Sequence, residues 1–210
     1  MSALRQSRAR PYVLKRRAAV VARTRRRITR AALELHGSIG PARTTISAIA
    51  RRSGVQRPTV YHHFPDLRSI LLACSAEARI LMPPPDLERW RRIGQPWDRL
   101  RTGLRELYRY FRRTEPFWTN ILRDAEVMPV LREIAMGRRL RYLADARDVL
   151  GAGKWGAGGR RRTRLLSALG LAVEFRTWES LARRQGLADG EAVELMIRLV
   201  AGALHQRVAR

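Results

Sequence analysis

The side chains best equipped for recognition chemistry crowd into residues 44–68, which hold Thr44, Thr45, Arg51, Arg52, Arg57, Thr59, Tyr61, His62, His63 and Arg68. Arg57 carries a planar fork of N–H donors that can give two parallel hydrogen bonds to a paired acceptor, and the hydroxyl and imidazole groups beside it both donate and accept. His62 and His63 are adjacent, so on a helix they point about 100° apart and do not converge on one metal ion. Cys74 is the sole cysteine, which excludes an internal disulfide and a cysteine-based zinc site. With four histidines, no nucleophile-plus-base arrangement and no acid pair at a telling spacing, neither enzyme activity, a metal nor a cofactor is expected. Gly151-Ala152-Gly153-Lys154-Trp155-Gly156 satisfies GxGxxG literally. It follows a helical segment rather than a strand, and Trp155 stands where a phosphate loop needs Ser or Thr, so no nucleotide site is read there.

Charge narrows the choice of partner. The chain has 43 Lys+Arg against 18 Asp+Glu, a net +25, and Lys15 and Lys154 are its only lysines. Residues 1–74 hold 16 basic residues and two acids, Glu34 and Asp66, so the first third has more than twice the charge density of the rest. A polyanion is the partner this favours, because each neutralised phosphate releases condensed counterions; a solvated basic surface would carry the same charge. At 210 residues and 45% hydrophobic, the chain can bury one domain plus a small appendage, or two small domains. No apolar run reaches the ~18 residues of a membrane helix, and the apolar residues 18–22 are too few for a secretory signal. A cytoplasmic protein without membrane contact is expected.

Three elements must position the recognition residues. Residues 1–22, basic and without apolar period, read as a flexible arm. Thr24 can cap a helix whose apolar side chains fall at Ile28, Ala31, Ala32 and Leu35, one buried stripe, ending at Gly37 and Gly40-Pro41. Thr44 and Thr45 can cap a second, short helix with Ile46, Ile49 and Ala50 inward. In the turn Ser53-Gly54-Val55-Gln56, Gly54 can take a positive φ. A third helix follows over residues 57–64, with Pro58 in its first turn, where a missing N–H is harmless. Val60 and Phe64 face inward, leaving Thr59, Tyr61, His62 and His63 outward. Two short helices joined by a glycine turn form a helix-turn-helix, whose second helix lays its first residues along major-groove base edges.

Thr45-Ile46-Ser47-Ala48-Ile49-Ala50-Arg51-Arg52-Ser53-Gly54-Val55, followed by Pro58-Thr59-Val60-Tyr61-His62-His63-Phe64, resembles the DNA-binding domain of TetR/AcrR transcriptional regulators. The resemblance spans residues 23–74. It implies that Thr45 bonds a phosphate and that Arg57, Pro58, Thr59, Tyr61, His62 and His63 form the groove-facing surface; Arg25, as a basic residue of the first helix, is separately expected to add affinity evenly across sequences. Two departures stand out. Gln56 replaces the family's usual small polar cap, and Leu67 replaces a phosphate-contacting lysine, a contact that Arg68 is expected to supply.

For residues 75–210 the resemblance implies a helical ligand-binding and dimerisation domain. Asp66 caps a fourth helix that runs to Pro83-Pro84-Pro85. Pro116 and Pro129 are read as starting further helices, residues 161–184 as one long helix, and a last helix follows Asp189. Trp97, Tyr108, Phe111, Phe117, Trp118, Phe175 and Trp178 are candidate walls of a pocket for an unknown small-molecule inducer, although such aromatic stripes also make ordinary core. Val173, Val193, Met196, Ile197, Val200 and Leu204 are candidate homodimer contacts, with an intramolecular core as the competing reading. The expected fold is all-α, with an N-terminal three-helix DNA-binding domain and a C-terminal helical domain. The expected function is that of a ligand-responsive repressor, homodimeric on a palindromic double-stranded DNA operator; the competing reading is a non-specific architectural DNA-binding protein.

Overall fold

The computed structural model describes residues 9–205, with side chains from 16 to 204. Among these residues every regular element is helical. In order they are α1 (Ala9–Ser38), a 3-10 turn (Pro41–Arg43), α2 (Ile46–Ser53), α3 (Arg57–His63), α4 (Leu67–Leu81), α5 (Leu87–Arg91), α6 (Pro96–Asp124), α7 (Pro129–Leu131), a π turn (Arg132–Met136), α8 (Gly137–Leu150), α9 (Gly159–Ala172), α10 (Phe175–Glu179), a π turn (Ser180–Arg184) and α11 (Asp189–His205). No helix among them is long and apolar enough to cross a membrane. The chain divides into two compact units. One takes the chain up to Leu81 together with Thr119–Ile134; the other takes Met82–Trp118 and the chain from Ala135 onward.

In the N-terminal unit, Ile28, Ala31 and Ala32 of α1 are buried, as are Ile49 and Ala50 of α2, Val60 of α3 with Phe64 just after it, and Ile70, Leu71 and Cys74 of α4. Each of the larger side chains contributes about 1.5–3 kcal/mol by leaving water. Helix α1 starts at Ala9 rather than at Thr24, so Thr24 lies inside the helix and residues 9–22 of the expected arm are helical; residues 1–8 lie outside the described residues. The side chains from Arg16 to Arg23 are all exposed, so no apolar period marks them. Ala and Arg are strong helix formers, and a turn nucleated by the buried half of α1 propagates through them. Helix α4 runs past Cys74 to Leu81, so no break falls at 74.

In the C-terminal unit, Leu100, Leu104, Leu107, Tyr108 and Phe111 bury one stripe of α6, the i, i+4, i+7 spacing of an amphipathic helix. α5, which the sequence reading missed, buries Trp90, whose indole N–H donates to Glu106 at 2.8 Å. Gly103 allows that approach, because a Cβ there would meet Leu150 at 2.7 Å and Trp90 at 3.3 Å. Two expectations fail on helix ends. Pro116 starts no helix but sits within α6; its ring removes one backbone bond, a loss that burial along the helix outweighs. The long helix expected over 161–184 breaks after Ala172, and Phe175 opens a new turn.

Candidate functional site

The turn between α2 and α3 is built as its residues dictate. Thr45 caps α2, its hydroxyl oxygen accepting from the Ala48 N–H at 3.1 Å. Gly54 ends α2 at φ 63°, the left-handed conformation that a side chain disfavours. Its N–H and that of Val55 return to Arg51 and Ala50 carbonyls, closing the helix end as a glycine cap should. α3 starts at Arg57 with Pro58 in its first turn, and Gln56 makes no side-chain cap. Val60 and Phe64 are buried at 0% and 1% exposure. Arg57, Pro58, Tyr61 and His62 stand exposed, and Thr59 and His63 are half-buried. Burial, the neighbouring His62 and the Arg25 charge all hold His63 below the usual histidine range.

Helix α1 braces α3 from behind. The Arg25 guanidinium donates to the His63 carbonyl and lies 4.0 Å over the Phe64 ring. Arg25 thus ties down the C-terminal end of α3, a role beyond the phosphate contact expected of it. A basic groove of about 340 Å³ follows α1, bounded by Arg23, Arg26, Arg27, Arg30, Glu34 and Arg52. Arg52 pairs with Glu34 at 2.7 Å and Arg30 with Glu77 at 2.8 Å. Arg23, Arg26 and Arg27 make no ion pair among the described residues, and their i, i+3, i+4 spacing puts them on one face.

Arg68 departs from expectation. Its two terminal nitrogens donate to both carboxylate oxygens of Glu133 at 2.8 and 2.6 Å, so the fork is already occupied by an acid 65 residues away. It does not stand free to replace the phosphate contact missing at Leu67. The segment ahead of α2 is anchored by residues that no motif marked. Asp124 accepts from the Ala42 N–H at 2.9 Å, Arg123 donates to the Ile39 carbonyl at 3.0 Å, and Asn120 donates to the Gly37 carbonyl at 2.9 Å. The Arg123 and Asp124 side chains press so closely on Gly40 that a Cβ there would overlap both. His36 is buried, which lowers its pKa to about 4 against a smaller upward pull from Asp124. Burial pushes the Cys74 thiol up to about 12, so it stays protonated and unreactive.

Residues 28–74 match the model of the tetR family of bacterial regulatory proteins. Over those residues the chain carries a TetR-type domain. Across 45 residues it is 53% identical to an uncharacterized HTH-type transcriptional regulator of Mycobacterium tuberculosis, a match covering 21% of this chain and 24% of that protein. The match therefore spans about a quarter of the curated relative. Two solved structures share the fold over most of the chain. A tetR-family transcriptional regulator from Streptomyces coelicolor superposes with a TM-score of 0.62 at 19% identity, covering 87% of this chain and 80% of that one. A Saccharomonospora viridis protein in complex with choline gives 0.58 at 19% identity, covering 86% and 96%.

Beyond the TetR-type domain, the candidate pocket aromatics fall into separate groups. Tyr108, Phe111, Phe175 and Trp178 are buried together, with Phe111 edge-on to Phe175 at 5.5 Å and Phe175 tilted against Trp178 at 5.4 Å. The Tyr108 hydroxyl donates to the Ala172 carbonyl at 3.1 Å, and the Trp178 indole donates to Asp189 at 2.9 Å. Burial pushes the Tyr108 phenol above its usual range. Trp118 and Phe117 are half-buried and meet edge-on at 5.4 Å. Trp97 does not join them: it is exposed and packs at 4.8 Å against Trp155. The sequence reading missed Arg139, whose guanidinium lies 4.5 Å over Trp118 and 5.8 Å from both Phe111 and Phe175. Burial depresses its pKa, with Glu174 and Tyr110 pulling upward and Arg176 downward.

The expected dimer contacts need correction. Val173, Val193, Met196, Ile197, Val200 and Leu204 are all buried within their own chain, so they are not free to face a partner. The most apolar stripe of a helix goes to its own core first. Leu195 and Leu199 of α11 and Leu171 of α9 remain exposed instead.

Proposed function

We propose that this chain is a sequence-specific DNA-binding transcriptional regulator, acting as a homodimer on a palindromic operator and released from it by a small-molecule inducer. The observation that carries this reading is the posture of α3. Arg57, Pro58, Tyr61 and His62 are exposed on a helix anchored from behind by Val60 and Phe64, the presentation that major-groove readout requires. Release on binding an inducer makes it a repressor, and DNA as its target puts it in the cytoplasm.

Thr45, Arg23, Arg26 and Arg27 supply phosphate contacts, and Arg57 reads a guanine. The C-terminal unit takes the two remaining tasks. Leu195 and Leu199, one turn apart on α11, form with the exposed Leu171 of α9 the apolar surface offered to a second copy. The aromatic cluster lines the ligand site; that a protein of this fold takes a small molecule at all is supported by the choline complex of the Saccharomonospora viridis protein. An inducer acts only if it binds the DNA-incompatible state more tightly.

The net charge of +25 also suits non-specific binding, so selection from a random duplex library decides between the readings. The expected product is an enriched inverted repeat, with half-sites one helical turn or a multiple of it apart. Retention of DNA without enrichment would leave an architectural protein.

A further inference from the structure

Arg139 lies on the buried stripe of α8, together with Leu143, Ala146 and Leu150. A count from Leu131 and Ile134 at ordinary helical spacing would put Arg138 there. The π turn Arg132–Met136 adds one residue to the cycle and brings Arg139 into place instead. Such turns recur where a helix serves a site.

The environment of Arg139 is half of a binding site. The side chain is only 8% exposed, and its guanidinium carbon lies 4.5 Å from the Trp118 ring centre and 5.8 Å from those of Phe111 and Phe175. Its five N–H groups lie in the guanidinium plane, where ring faces do not satisfy them. Among the described residues it makes neither a hydrogen bond nor an ion pair; Glu174 acts on it only through space, opposed by Arg176. The Arg139 nitrogens therefore keep contact with solvent, and the group that best replaces that water is a planar oxyanion accepting two parallel bonds.

The approach is charged to match. A groove of about 210 Å³ is bordered by Pro83, Pro84, Pro85, Arg109, Tyr110 and Arg113. Tyr110 belongs both to this groove and to the aromatic surroundings of Arg139, since its hydroxyl accepts from the Trp118 indole at 3.1 Å. The groove's one acid, Glu106, is held by Arg89 at 3.2 Å.

We propose that Arg139 anchors the carboxylate of a small organic acid, which enters past Tyr110 and rests its apolar part on the surrounding rings. The proposal rests on reading the C-terminal unit as the ligand-sensing part. It also separates this chain from a receptor for a quaternary ammonium such as choline, because the aromatic faces that would hold such a cation already hold Arg139.

The test is tryptophan fluorescence titration of the full chain with benzoate and hexanoate, with benzamide, hexanamide, choline and inorganic phosphate as comparators. At least one carboxylate is expected to saturate and to bind at least tenfold more tightly than its amide. Arg139→Met should lose at least tenfold of that affinity, and Arg139→Lys, which keeps the charge without the fork, should lose less. Melting curves establish that each variant is folded, and if Arg139→Met is not, Arg139→Lys and Arg139→Gln carry the comparison. Amide or phosphate binding equal to carboxylate, unchanged affinity in a folded Arg139 variant, or no saturable response to either acid would overturn the proposal. DNA retention is measured separately on the same samples. Arg139-dependent carboxylate binding that leaves DNA affinity unchanged would uphold the site and reject the regulatory role of the ligand, whereas DNA binding without any acid response would overturn the site and leave the DNA-binding reading standing.

Discussion

Arg25 lies across the face of Phe64, its guanidinium 4.0 Å from the ring centre, and the same group donates to the carbonyl of His63. One side chain of α1 therefore holds both the last turn of α3 and the aromatic plug beneath it. Arg25→Ala should destabilise the N-terminal unit by about 1 kcal/mol, from an exposed cation–π contact and one hydrogen bond. Because it loosens the reading helix, it should also weaken binding to the selected operator more than to random duplex. Equal losses on both would return Arg25 to a simple phosphate contact.

Gly54 tests the turn itself. A Cβ there meets no atom within 4 Å, so Gly54→Ala is opposed only by the positive φ, at about 1–2 kcal/mol. Gly54→Asn should recover part of the loss, since Asn tolerates that conformation. Urea unfolding measures both, and a neutral Gly54→Ala would mean that the left-handed cap is not required.

Acid should weaken the fold through His36. Its folded pKa, about 4, lies below the ~6.5 of an unfolded histidine, so between these values the unfolded chain binds more protons. The stability present above pH 6.5 is then lost progressively as pH falls towards 4. The lowered carboxylates Asp124 and Asp189 act only at the acid end of this window and below it. Between pH 7 and 5 the slope should therefore shrink in His36→Asn, and an unchanged slope in unfolding curves would assign it to other groups.

Two neighbours on α11 separate core from interface. Leu199 is exposed and Val200 is fully buried. Leu199→Glu should give folded monomers in sedimentation, whereas Val200→Glu should unfold the C-terminal unit by burying an unpaired charge. A Leu199→Glu dimer would move the contact to another face.

What the sequence disclosed was local. Thr45, Gly54 and Pro58 each act within a few residues of themselves, and the alternation of Ile49, Val60 and Phe64 with exposed neighbours follows from helical period alone. What stayed hidden depends on long-range or register effects. Glu133 claims Arg68 from 65 residues away, and no spacing rule connects them. Arg139 is one arginine among many, and only the π turn ahead of it puts it inside. Whether Val200 is covered by its own chain or by a partner stayed open in the sequence, because an apolar stripe looks the same in either case.

The reach of α3 into the major groove is tested most directly by methylating guanine N7 in the selected operator, since that atom lies on the groove edge Arg57 would read. Methylation at one guanine per half-site should block binding of the native protein. Arg57→Ala should bind about 1–3 kcal/mol more weakly and become indifferent to that methyl group. Native binding insensitive to N7 methylation anywhere in the operator would contradict the account.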